Sequence, residues 1–213
     1  MEVKHSPWVD PLPALAVSSL QLMRARRLSL VVPVVAAALA AQAACGTSTG
    51  LPIATQENSV DTVILFALDG TPVYTPSAYD LSDKSKVRTD RSTVGFDFAF
   101  NITPAGQAEL LSTGAMSLGK SSGFIIKGDP FDAIAQAPSS GYQDSVAVPI
   151  DSGSVFIVRS RPSVNCAAIG LSLPVYGKLE VLAVDTTART VQFRILVDQN
   201  CGYHGLQPGL PSK

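Results

Sequence analysis

Charge is scarce in this sequence. Only 15% of its 213 residues are charged, and 16 Lys+Arg against 17 Asp+Glu leave a formal charge of −1. A chain this close to neutrality lacks the basic stripe with which nucleic-acid binders neutralise phosphates. Aromatics reach only 7%, with one Trp, and there are two His and three Cys. So few soft ligands leave little for a metal cluster or a disulfide-dense framework. Heptads and a glycine period are missing as well, which excludes a coiled coil and a collagen. An apolar content of 46% excludes a disordered chain. What is left has the size of one domain with an appendage.

A mean hydropathy of +0.25 is high for such a domain, and the excess is concentrated in residues 28–44, LSLVVPVVAAALAAQAA. This run follows the basic cluster Arg24, Arg26 and Arg27 and ends in small residues. Basic, apolar and small in that order are the three parts of a secretory signal. The run is too short, and interrupted by Pro33, to make a good membrane span. Its end, Gln42-Ala43-Ala44-Cys45-Gly46, resembles the lipobox of bacterial lipoproteins. The resemblance implies cleavage before Cys45, a diacylglyceride on its sulfur, and, with Gly46 rather than Asp next, an outer-membrane address. Residues 1–22 carry Glu2, Asp10 and three prolines ahead of the basic cluster and fit no signal, so translation is expected to start at Met23. The expected organisation is therefore an over-extended start (1–22), a lipoprotein signal peptide (23–44), a lipidated flexible tether (45–60) and a single domain (61–213).

Cleavage changes the charge balance. Losing Lys4, Arg24, Arg26 and Arg27 leaves 12 of the 16 basic residues, and losing Glu2 and Asp10 leaves 15 of the 17 acids, for a formal charge of −3. One His (His204) and one Met (Met116) remain. In an oxidising compartment Cys166 and Cys201 are expected to form a disulfide that staples the C-terminus. A metal site is the competing reading, because Cys201-Gly-Tyr-His204 has C-x-x-H spacing and Cys166 would be a third ligand.

From Asp61 onward, short apolar runs alternate with turn clusters. Strands are expected at 61–68, 93–102, 107–112, 123–127, 145–149, 154–160, 177–184 and 190–198. In the second, Phe96, Phe98, Phe100 and Ile102 fall on one face and Asp97 and Asn101 on the other, the pattern of a half-buried strand. In the last two, Leu179, Val181 and Ala183 alternate with Lys178, Glu180 and Leu182, and Val191, Phe193, Ile195 and Val197 with Gln192, Arg194 and Asp198. The DTTAR between them predicts a hairpin. Helix is expected at most over 103–112, where Pro104 stands early, and in a turn near 132–136. These elements predict an all-β antiparallel sandwich or barrel-like domain of seven to nine strands.

Several segments imitate catalytic or ligand-binding motifs. Residues 114–121, GAMSLGKS, fit the P-loop pattern G-x-x-x-x-G-K-[ST], but strand and turn follow where a phosphate-cradling helix is required; no nucleotide partner is expected. G-x-S-x-G occurs at Ser48 and Ser121. A serine hydrolase would have to pair Ser121 with His204, the lone mature His, and this stands as a second alternative. Asp129 and Asp132 could offer oxygens to calcium, though their spacing departs from the known loop. Asn101-Ile-Thr103 fits a glycosylation sequon. Tyr74, Tyr79, Tyr142, Tyr176 and Tyr203 fall in or beside turns and are expected to cover core edges with their hydroxyls in water.

One wider pattern stands out. Gly95-Phe-Asp-Phe-Ala-Phe100, a Gly/Ser-rich middle, Val155-Phe-Ile-Val-Arg159, Tyr176-Gly-Lys178-Leu-Glu-Val181 and the closing strand over 190–197 resemble, in order, the HmuY-type haem-capturing lipoproteins. The resemblance implies an all-β surface lipoprotein and, as the alternative reading, a haem or small-ligand carrier. That family holds haem iron through paired His or Met side chains, and this sequence offers Met116 and His204 without a family motif at either. No ligand residue is carried over. The sequence therefore predicts an exported, lipid-anchored, non-enzymatic binding or structural module, attached to the membrane through its N-terminal lipid, with no cofactor assigned and an unidentified protein or small molecule as its ligand.

Overall fold

The computed structural model describes residues 50–90 and 95–212. The expected leader at 1–44, Cys45, Ser48 and residues 93–94 of the second expected strand lie outside the described residues.

Among those described, ten strands run in chain order as β1 (Val60–Phe66), β2 (Ala78–Asp80), β3 (Ser85–Val87), β4 (Phe98–Ile102), β5 (Ala108–Ser112), β6 (Gly123–Lys127), β7 (Val148–Pro149), β8 (Val155–Pro162), β9 (Pro174–Asp185) and β10 (Thr190–Asp198). They form two five-stranded sheets, ordered β1-β10-β9-β8-β6 and β3-β2-β4-β5-β7, with every pairing antiparallel. The fold is an open sandwich rather than a closed barrel. Among the described residues, helix is confined to one turn, α1 (Val164–Ala167), and a 3-10 turn at Phe131–Ala133. No helix among the described residues is long and apolar enough to cross a membrane.

Each of the eight expected strands is present. The two extra strands, β2 and β3, are three residues long, too short to show a period-2 pattern. The helix expected over 103–112 does not form. Thr103 N–H donates to Gln107 O, Gly106 takes φ +82°, and the chain turns directly into β5. A glycine tolerates that left-handed conformation where other residues are strained.

Inward residues of both sheets meet in one core. Val63 and Leu65 of β1, Phe98, Phe100 and Ile102 of β4, Phe156 and Val158 of β8, Leu179 and Val181 of β9, and Val191, Phe193, Ile195 and Val197 of β10 are all buried there. Phe98 sits at the centre of an aromatic cluster, 5.7 Å from Tyr79, 5.6 Å from Phe124 and 5.9 Å from Phe193 between ring centroids. Such pairs each contribute about 0.5–1.5 kcal/mol beyond their buried area. Rings from both sheets interlock in this way and hold the layers in register.

Two expected alternations break. A bulge between Gln192 and Phe193 leaves Leu182 without a cross-strand partner, so Val184 rather than Ala183 packs against the core. In the F-D-F-A-F stretch, Phe96 packs with Ala78, Val87 and Ala99 on the outer face of the second sheet, while Asp97 turns toward the first sheet and is fully buried.

The first sheet is covered on both faces. Phe131, Ile134, Ala137 and Leu206 lie over its outer side against Val155, Ile157, Tyr176 and Leu196. That explains the unbroken apolar run Val155-Phe-Ile-Val158, the mark of a strand buried on two sides. The N-terminal approach also belongs to the domain. Thr55 and Gln56 N–H groups donate to Asn200 Oδ1, Asn58 exchanges backbone hydrogen bonds with Gly209, and Tyr203 Oη donates to Pro52 O. The tether expected to reach residue 60 is thus drawn into the fold from about Leu51.

Candidate functional site

On the outer face of the first sheet, near the end of β8, a cleft of about 320 Å³ is lined by Lys120, Ser121, Arg159, Ser160, Pro162, Pro174 and Tyr176. Strand register builds it. Arg159 on β8 lies between Gly123 of β6 and Tyr176 of β9. Because Gly123 has no side chain, Tyr142 approaches there, with its Cβ only 3.0 Å from where a glycine Cβ would stand. The Arg159 guanidinium then sits 4.8 Å above the Tyr142 ring centroid, a cation–π contact that holds an arginine without neutralising it. Tyr176 is sandwiched from behind by His204, whose ring is stacked at 4.2 Å.

The segment 114–121 forms the rim. It is a turn between β5 and β6, and no helix follows it. Its glycines have structural reasons: a Cβ on Gly114 would collide with the Asp144 carbonyl, and Gly119 takes φ +100°. Thr113 Oγ1 donates to Gly119 O at 2.7 Å and ties the turn shut, while Ser122 Oγ anchors its far end on Asp97 O at 2.6 Å. This closed turn presents Lys120 and Ser121 to the cleft. The P-loop pattern therefore reflects tight-turn geometry.

Other sequence candidates are dispersed. Cys166 and Cys201 are joined in a disulfide with Cα atoms 5.6 Å apart, which removes both thiolates from any C-x-x-H metal site. No group of three or more His, Cys, Asp or Glu is placed to hold a metal among the described residues. His204 Nδ1 pairs with Ala137 O at 2.8 Å, and no hydrogen bond joins His204 to Ser121, although both border Tyr176. Met116 packs on the outer face of the second sheet and His204 on that of the first, so the two are not brought together as axial ligands. Asp129 faces Lys127 at 3.9 Å and Asp132 faces Arg194 at 3.2 Å, each with its own cation. Asn101 is buried, donating to Asp69 Oδ2 and accepting from Asp69 N–H, which makes the sequon structural. Of the tyrosines, Tyr79 is not at a turn edge but fully buried in β2, and burial raises its hydroxyl far above the usual phenol range.

Two clusters of buried charge escaped sequence reasoning. Asp97 accepts from Leu81 N–H at 2.7 Å, Arg161 N–H at 2.8 Å and Arg161 Nη1 at 3.0 Å, while Arg161 Nη2 reaches Asp80 Oδ2 at 2.7 Å. One guanidinium serves two buried carboxylates, and burial, outweighing Arg161 and the backbone N–H groups, lifts the Asp97 carboxyl to about 6. Lys178, also fully buried, donates from Nζ to Phe131 O and Ile134 O at 2.9 Å each and lies 4.6 Å over the Phe131 ring centroid. Desolvation is the main influence and lowers its pKa. Both clusters clamp elements together: the first joins the sheets, the second fastens the 131–134 turn to β9. The only sequence signal for either was a charged residue at an alternation position flanked by apolar neighbours.

The chain matches no known protein family and no curated protein.

Proposed function

We propose that this protein is an exported, lipid-anchored module of the cell envelope, held at the outer membrane through Cys45, that works by binding rather than by catalysis. The observation that carries the binding reading is the cleft: Lys120 and Arg159 converge beside Tyr176, and neither is paired with a carboxylate among the described residues. A folded domain normally neutralises its semi-buried cations internally, as Arg161 and Arg194 are here, whereas the half-buried Arg159 has no carboxylate and the exposed Lys120 lies on the rim of the same cleft. A cation left open in a concavity is the polar anchor expected of a ligand site. The anchoring reading rests on the lipobox-like Gln42-Ala-Ala-Cys45. The Cys166–Cys201 disulfide supports it, since such bonds persist in oxidising compartments.

Two solution experiments test the binding reading. Purified domain is expected to leave chromogenic esters intact; turnover abolished by Ser121→Ala would replace binding with hydrolysis. Haemin titration is expected to give no Soret shift, and a saturable shift would establish the haem-carrier alternative.

A further inference from the structure

The binding-module reading leaves the ligand open, and the inference drawn here rests on that reading. The geometry points to a small anionic ring compound, a carboxylate or phosphate group carried on one sugar or aromatic ring, as the occupant of the cleft bordered by Lys120, Ser121, Arg159 and Tyr176.

Three features of the cleft converge on that chemistry. The first is charge. Arg159 has five guanidinium N–H donors, and none of them meets a protein acceptor among the described residues; the guanidinium lies instead over the face of the Tyr142 ring. A planar guanidinium held on a ring is pre-oriented for the two-pronged recognition of carboxylate or phosphate. Lys120 brings a second positive charge and Ser121 a hydroxyl to the same cleft. A neutral ligand would leave the half-buried Arg159 guanidinium without an anion, whereas an anion satisfies it and draws on Lys120 at the rim.

The second feature is shape. At about 320 Å³ the cleft lies at the small end of ligand sites. That suits one ring rather than an extended chain.

The third feature is the wall. Tyr176, Pro162 and Pro174 supply flat, apolar surface next to the charges, the two prolines facing each other in register across β8 and β9. Tyr176 is buried, stacked on His204 at 4.2 Å and 6.1 Å from the Tyr142 ring, and His204 is held by Ala137 O, so Tyr176 gives the cleft a fixed edge beside the two prolines. A wall immobilised in this way loses little entropy when a ligand ring packs against it. Charge on one side and a rigid apolar wall on the other describe an amphipathic anion.

Amide-detected NMR of the isotope-labelled domain, titrated with glucuronate, glucose 6-phosphate, benzoate and phenyl phosphate, tests the assignment. Glucose and phenol serve as the neutral counterparts. The sugar and aromatic pairs separate the two kinds of ring, and the carboxylate and phosphate members separate the two anions. The expected result is saturable shifts at Lys120, Ser121, Arg159 and Tyr176 with at least one anionic ring and none with its neutral counterpart. Lys120→Ala is expected to weaken that binding at least tenfold. Lys120 is exposed, so this variant keeps the fold. Arg159→Lys, which keeps the charge and loses the planar fork, is expected to weaken it several-fold. Equal shifts with the neutral partners, or no shifts at these four residues with any anion, would overturn the inference. Shifts confined to another surface overturn the ligand site but leave the binding-module reading standing, whereas turnover of a probe overturns both.

Discussion

Arg161 donates to a single oxygen of Asp97 from two of its own groups, the backbone N–H at 2.8 Å and guanidinium Nη1 at 3.0 Å, across 64 residues of sequence. Arg161 belongs to β8 of the first sheet, and Asp97 immediately precedes β4 of the second. The pair is thus an ionic staple between the layers, extended by Asp80 on β2. Its partners are fully specified, since both carboxylate oxygens of Asp97 accept N–H groups.

The staple makes stability depend on pH in an unusual direction. In the unfolded chain Asp97 titrates near 3.8, and in the fold near 6. Between those values the native state holds a proton that the unfolded state lacks, so the stabilisation is complete below about pH 4 and is lost as pH rises through 6. At about 1.4 kcal/mol per pKa unit, this loss is on the order of 3 kcal/mol. Urea unfolding at pH 4, 5, 6 and 7 is expected to show that component in the wild type and to lack it in Asp97→Asn. An identical pH slope in both proteins contradicts the assignment.

Lys178 supports a second attachment. Lys178→Met keeps most of the side-chain volume but removes the donors to Phe131 O and Ile134 O. Gln207 Nε2 still reaches Ile134 O at 3.1 Å, so the Phe131 carbonyl bears most of the loss. The expected cost is about 1–3 kcal/mol, with faster hydrogen exchange concentrated at 131–137. A variant as stable as the wild type would show that the lysine contributes nothing net.

The disulfide closes a loop between residues 35 apart and ties α1 to the turn after β10. A chain-entropy treatment gives about 3–4 kcal/mol for a loop of this length. The double variant Cys166→Ala/Cys201→Ala is expected to lose that amount in denaturant titrations under non-reducing conditions, and the wild type to lose it on adding dithiothreitol.

The rim turn separates two kinds of glycine. In Gly114→Ala the new methyl meets the Asp144 backbone, which has no easy way to move because Asp144 O also accepts from Ser112 Oγ at 2.9 Å. Overpacking of this kind costs about 1–3 kcal/mol. At Gly119, where nothing lies nearby, alanine incurs only the strain of φ +100°, roughly 1–2 kcal/mol. Thermal unfolding of the two variants checks the order, and a Gly119→Ala protein less stable than Gly114→Ala reverses it.

Legibility followed strand length and environment. The 9-residue β10 and the 5-residue β4 could be read because their alternating apolar residues point at one core. β2 and β3, with three residues each, carry no period. Alternation alone points Ala183 inward, because a bulge at Gln192/Phe193 depends on pairing, which one strand's sequence does not contain. It points Asp97 to solvent, because alternation is blind to an arginine arriving from residue 161. The cleft was half legible: Ser121 and Lys120 drew notice through a motif whose chemistry the turn does not support. Arg159 and Tyr142 stand in the sequence without any sign that they meet, because their contact depends on the empty space beside Gly123.

The claim that this is a lipid-anchored exported module is tested most directly by intact mass spectrometry of the protein extracted, unreduced, from membranes of bacterial cells producing the full chain. The expected species begins at Cys45, carries a diacylglyceryl group on that cysteine, and is two hydrogens lighter than its reduced form because of the Cys166–Cys201 bond. A species that retains residues upstream of Cys45, or that begins at Cys45 without lipid, would contradict it.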